Sequence, residues 1–112
     1  MKRTLKKIID FAVAIADPEE IILFGSMADE TANHFSDVDL LLISENTGIK
    51  DFISEKIVNY SSELSLKTDV LLYSRAEIER GRQQPNSFIA AIIKSGKITY
   101  KKACNLNSNG VN

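Results

Sequence analysis

A small mixed β-sheet flanked by helices, an α/β (α+β) domain, is the fold class that three observations predict. Short apolar runs at Ile21 to Phe24, Leu40 to Ile43 and Val70 to Tyr73 have the length of strands and are bounded by glycine or polar residues. Longer stretches around them repeat apolar residues at helical spacing. Aspartates stand at the entrances of the second and third runs, and they restrict how the strands can be directed.

The first helix is expected to end near Asp17-Pro18, because Leu5, Ile8, Ile9, Ala12, Val13 and Ala16 share one face. Its basic start and its small residues at Ala14 to Ala16 imitate a signal peptide, but Asp10 interrupts the apolar part. After strand one, Gly25-Ser26 turns the chain, and Met27 to Thr31 has a short helical pattern. Strand two follows Asp37-Val38-Asp39, and Ser44 to Gly48 is expected as a turn. Ile49, Phe52, Ile53, Ile57, Tyr60 and Leu64 trace one face of the next helix, whose charged side reads as solvated surface. Asp69 opens strand three. Ser74 with Glu77 has the form of a capping box for a short helix ending near Gly81. Phe88, Ile89, Ile92 and Ile93 give a last helix an apolar face, Gly96 stops it, and Ile98 to Tyr100 is expected as a short edge strand.

With 112 residues, the chain has room for one core but not for a catalytic domain and a separate substrate domain. Residues 1–100 are therefore expected as a single domain, and 101–112, polar and asparagine-rich, as a flexible tail. At 44% hydrophobic and 26% charged, the composition is that of a globular protein. The net charge of −1 lacks the basic excess of a protein that grips many nucleic-acid phosphates, so extended nucleic-acid binding is not expected. The single cysteine, Cys104, cannot form an intramolecular disulfide, which suits a reduced, cytoplasmic setting. No segment has the length of a membrane span.

Chemistry concentrates between Ile21 and Leu42. Side chains alternate along a strand, so Asp37 and Asp39 project to one side while Val38 and Leu40 project to the other. Two neighbouring carboxylates repel unless a cation lies between them, and hard oxygen ligands of this kind suit Mg²⁺ held together with a substrate's phosphates. The Gly25-Ser26 turn offers backbone N–H groups to an anion. For Gly25 to meet Asp37 and Asp39, strands one and two should be antiparallel; for Asp69 to join them, strand three should run parallel to strand two, with the intervening helix as a right-handed crossover. Asp37, Asp39 and Asp69 would then hold two metal ions, with Gly25 and Ser26 at the phosphates.

Other residues have plainer readings. Ser36 and His34, the only histidine, are expected as loop residues, since no catalytic partner for either is evident. Arg75, Arg80, Arg82, Lys50 and Lys67 are surface charges unless they face the cleft.

Gly25-Ser26, ten residues, then Asp37-x-Asp39 resembles the signature of the nucleotidyltransferase superfamily that includes DNA polymerase beta, and the short chain resembles its minimal nucleotidyltransferase branch over Ile8 to Tyr100. That branch usually continues Gly-Ser-x-Ala-Arg-Gly; here Asp29-Glu30 replace the last two residues. The resemblance implies transfer of a nucleoside monophosphate, AMP from ATP, to a hydroxyl. It further implies an antitoxin role beside a HEPN-domain toxin, some relatives modifying a toxin tyrosine. Asp29-Glu30 motivates the alternative of a non-catalytic or nucleotide-sensing antitoxin that neutralises by binding. A small-molecule transferase of aminoglycoside type is a weaker alternative, and self-association is left open.

Overall fold

A computed structural model describes residues 2–25 and 38–103 of the chain. Helix α1 (Lys2–Ala16) leads into β1 (Glu20–Phe24), and β2 (Val38–Ile43) is followed by a 3₁₀ turn (Thr47–Ile49) and α2 (Lys50–Glu63). Then come β3 (Thr68–Tyr73), α3 (Arg75–Arg82), α4 (Phe88–Ser95) and β4 (Lys97–Lys101). The four strands form one sheet in the order β3-β2-β1-β4. β1 is antiparallel to β2 and to β4, while β2 and β3 are parallel, so the sheet is mixed, as the aspartate placement requires.

Strands with apolar residues on both faces need cover on both. One face packs Ile21, Leu23, Val38, Leu40 and Leu42 against Ile8, Ile9 and Ala12 of α1 and Ile53 and Ile57 of α2. The opposite face packs Ile22, Leu41 and Ile43 against Ile78 of α3 and Ile92 of α4. Alternation along β2 thus feeds two separate cores.

The helix ends are closed by groups that satisfy backbone bonds. Asp17 takes the left-handed conformation, with φ 45°, and its N–H donates to the Val13 carbonyl at 3.1 Å. The free Ala16 carbonyl accepts from buried Ser44 Oγ at 2.8 Å and from Asn46 Nδ2 at 2.9 Å, which ties α1 to the end of β2. At the end of α2, Ser65 has φ 64°, its N–H donates to the Ser62 carbonyl, and the Leu66 N–H donates to that of Ser61. That double bond pattern is a Schellman cap, built here on serine rather than glycine. The capping box expected at Ser74 is present, with Glu77 N–H donating to Ser74 Oγ and Ser74 N–H to Glu77 Oε1.

Three residues placed on core faces by their spacing lie outward instead. Ile49 is exposed because it sits in the 3₁₀ turn, ahead of the α2 row formed by Ile53 and Ile57. Phe52 lies on the flank of that row and is covered in part by Lys56, whose Nζ stands 5.3 Å from the ring centroid. Phe88, the first residue of α4, is 59% exposed, and Ile92 carries the burial. Pairing also continues past residue 100: Lys101 belongs to β4, the Lys102 N–H donates to the Glu19 carbonyl at 2.8 Å, and Lys102 Nζ meets Asp17 at 3.0 Å. The rest of the expected tail, 104–112, lies outside the described residues. Among the described residues, no helix is long and apolar enough to cross a membrane.

Candidate active site

The site forms where β1 ends and β2 and β3 begin. Asp39 is paired in register with Asp69 on the adjacent parallel strand and with Phe24 on the antiparallel one. Neighbouring strands lie about 5 Å apart, and residues in register share a face, so the two carboxylates stand side by side. They share the α3/α4 side with Leu41, Ile43, Leu71 and Tyr73. Asp39 is half-buried and Asp69 exposed. Thr68, one residue before Asp69, points to the other face; it is buried, and its hydroxyl has no hydrogen-bond partner among the described residues.

Gly25 closes the third side. Its φ of +78° lies in the left-handed region, and a Cβ there would overlap Asp39 Oδ2 and stand 3.3 Å from Cγ. Two separate constraints, backbone conformation and contact, therefore require glycine. The turn brings main chain against the carboxylate with no side chain between.

Of the expected site residues, the structure thus brings Gly25, Asp39 and Asp69 together. Ser26 and Asp37 lie outside the described residues, as do the Met27 to Thr31 segment, Asp29, Glu30, His34 and Ser36. Among the described residues, no group of three histidine, cysteine, aspartate or glutamate side chains is placed to hold a metal; the described carboxylates are a pair. That pair nevertheless fits a divalent cation, because its donors are hard oxygens on one face of adjacent strands.

The candidate basic residues separate clearly. Arg75 is at the other end of the sheet, where its Nε donates to Glu19 at 3.1 Å and its Nη2 to Glu20 at 2.8 Å. Burial works against the Arg75 charge, but the hydrogen bonds to Glu20 and Glu19 outweigh it and hold the guanidinium more basic than usual. Arg82 pairs with Glu79 at 3.2 Å on the surface. Lys50 begins α2, which follows the end of β2 opposite to Asp39. Lys67 is the one that precedes the site strand, and its carbonyl accepts from the Val38 N–H at 2.9 Å.

Two aromatic residues beside the site were not singled out by their sequence context. Phe24 is the last strand residue before Gly25, and Phe88 meets it with ring centroids 6.1 Å apart and planes 86° from parallel. The only sequence signal for Phe24 was its adjacency to the turn, and the helical spacing of Phe88 pointed to the core.

The chain matches the family described as polymerase beta, nucleotidyltransferase, over residues 6–105. It belongs to that family and is a nucleotidyltransferase. Among solved structures, a candidate nucleotidyltransferase from Sulfolobus solfataricus is similar with 19% identity and a TM-score of 0.58, covering 91% of this chain and 81% of that one. A toxin–antitoxin structure with AMP-PNP is similar with 17% identity and a TM-score of 0.60, over 89% of this chain and 73% of that one. A chain of a Shewanella oneidensis complex, a tri-AMPylated HEPN toxin with an MNT antitoxin, is 19% identical with a TM-score of 0.52, over 90% and 72%. At these identities the likeness is one of fold. Comparison with curated proteins gives no match.

Proposed function

We propose that this chain is a Mg²⁺-dependent nucleotidyltransferase that moves AMP from ATP to a hydroxyl on a HEPN-type toxin partner, as a cytoplasmic antitoxin of the minimal nucleotidyltransferase kind. The observation that carries this reading is the register of Asp39 with Asp69 against the Gly25 backbone. Fold likeness to chains from toxin–antitoxin complexes, one with AMP-PNP and one with an AMPylated HEPN toxin, supports the nucleotide and the partner.

In this reading Asp37, Asp39 and Asp69 hold the metal ions, and Gly25 and Ser26 hold the far phosphates of ATP. Bound Mg²⁺ supplies neutralisation of the phosphate charge and lowers the pKa of the acceptor hydroxyl. Asp39, half-buried and fixed between two strands, would hold the metal ion that faces the phosphates of ATP. Asp69, the more exposed carboxylate, orients the acceptor. The acceptor hydroxyl gives up its proton to water, its oxygen attacks the α-phosphorus in line, a new phosphorus–oxygen bond forms, and the bond to the departing pyrophosphate breaks, the pyrophosphate leaving with the electron pair.

The test is incubation of the full chain with its toxin partner, Mg²⁺ and ATP, followed by intact-mass spectrometry of the partner. An AMP adduct that disappears with Asp39→Asn and with Asp69→Asn is the expected result. Full neutralisation by both variants without any adduct would instead establish the binding-only antitoxin, the second reading, which Asp29-Glu30 in the phosphate turn favours.

A further inference from the structure

Phe24 and Phe88 form an aromatic step beside the carboxylates. We infer that the open face of this step, chiefly the ring of Phe88, is the stacking platform for the base of the bound nucleotide; the inference rests on the nucleotide-transfer reading and adds the base subsite to it.

Phe24 pairs in register with Asp39, and directly paired residues have Cβ atoms about 5 Å apart on the same face, so the ring adjoins the carboxylate. Its next residue is Gly25, at the proposed phosphate turn. Phe88 stands perpendicular to Phe24 at 6.1 Å, held at the start of α4 by Ser87, whose Oγ accepts from the Ala90 N–H at 3.0 Å and donates to the Gly81 carbonyl at 2.6 Å. The platform is therefore anchored at both its ring contact and its backbone, yet 59% of Phe88 remains exposed. A large apolar ring kept in water, on a fixed helix start and one ring away from the reacting end of the sheet, is placed to take a flat apolar group attached to the phosphates. A nucleobase has that shape and that attachment. Every base offers a π-face, so such a platform binds without choosing among bases.

The chain contains no tryptophan, which makes a direct optical test available. In Phe88→Trp, fluorescence should be quenched on adding ATP with Mg²⁺, and not on adding tripolyphosphate with Mg²⁺. In Phe88→Ala, calorimetry should show the Kd for ATP raised about tenfold, the Kd for GTP raised by a similar factor, and the Kd for tripolyphosphate unchanged. Equal ATP affinity in wild type and Phe88→Ala, or no quenching in Phe88→Trp at saturating ATP, would overturn the platform while leaving the phosphate site intact. Loss of both ATP and tripolyphosphate binding in the wild-type chain itself would overturn the underlying nucleotide reading, and the platform with it.

Discussion

The two ends of the sheet handle carboxylates in opposite ways. At the distal end, Glu19 and Glu20 are neutralised by the Arg75 fork, Glu45 accepts from the Arg75 N–H at 2.9 Å, and the capping box of α3 begins one residue earlier. Charge there is consumed in tying β1 to α3. At the other end, Asp39 and Asp69 are aligned by strand register and approached by a glycine with no side chain. The first arrangement fastens the fold. The second sets oxygen donors of adjacent strands in register beside a glycine turn, a donor set that suits a bound cation.

Substitutions at the two ends are therefore expected to separate activity from stability. The largest effect is expected from Asp39→Asn and Asp69→Asn, each lowering nucleotidyl transfer by about a thousandfold, or about 4 kcal/mol, with thermal unfolding shifted little. A transfer assay with ATP labelled at the α-phosphate, paired with a melting curve, checks both halves. Gly25→Ala joins the two properties: the overlap with Asp39 and the positive φ should cost about 2 kcal/mol of stability and also reduce transfer, as denaturant titration and the same assay would show.

Arg75→Ala should do the reverse of the aspartate changes. It releases Glu19 and Glu20 and costs about 1 kcal/mol of stability, with ATP affinity unchanged by calorimetry. Ser74→Ala should cost a similar or smaller amount, about 1 kcal/mol, through loss of the cap. Its partner Glu77 is held below its ordinary pKa, first by the Ser74 backbone N–H and then, against a cost of burial, by the Ser74 hydroxyl and nearby cations. A depressed carboxylate stabilises above its unfolded value and ceases to as the pH falls. The stability difference between wild type and Glu77→Gln should thus be complete above about pH 5, begin to fall near the ordinary glutamate value of about 4.3, and vanish only below the lowered folded-state value, as melting curves across that range would reveal.

The strand directions were legible because the aspartates allowed few alternatives: Gly25 and Asp39 can meet only across an antiparallel pair, and Asp39 and Asp69 only across a parallel one. Apolar runs without polar alternation likewise pointed to cover on both faces, which α1 and α2 on one side and α3 and α4 on the other provide. Tertiary fastening was not legible. Ser65 closes α2 in a conformation that glycine or asparagine usually marks, so it carried no signal, whereas Asp17-Pro18 did mark the end of α1. Arg75 reaches residues more than fifty positions away, which no local pattern encodes. Phe88 has helical spacing identical to that of a core residue, and only its place at the very start of α4 leaves it exposed.

The central claim, that Asp39 and Asp69 with the Gly25 turn bind metal and nucleotide together, is tested most directly by calorimetry of ATP binding to the full chain with and without Mg²⁺. Binding that requires Mg²⁺, and that weakens at least tenfold in both Asp39→Asn and Asp69→Asn while both variants melt like the wild type, is the predicted result. Binding of equal strength in all three proteins, or binding indifferent to Mg²⁺, would contradict it.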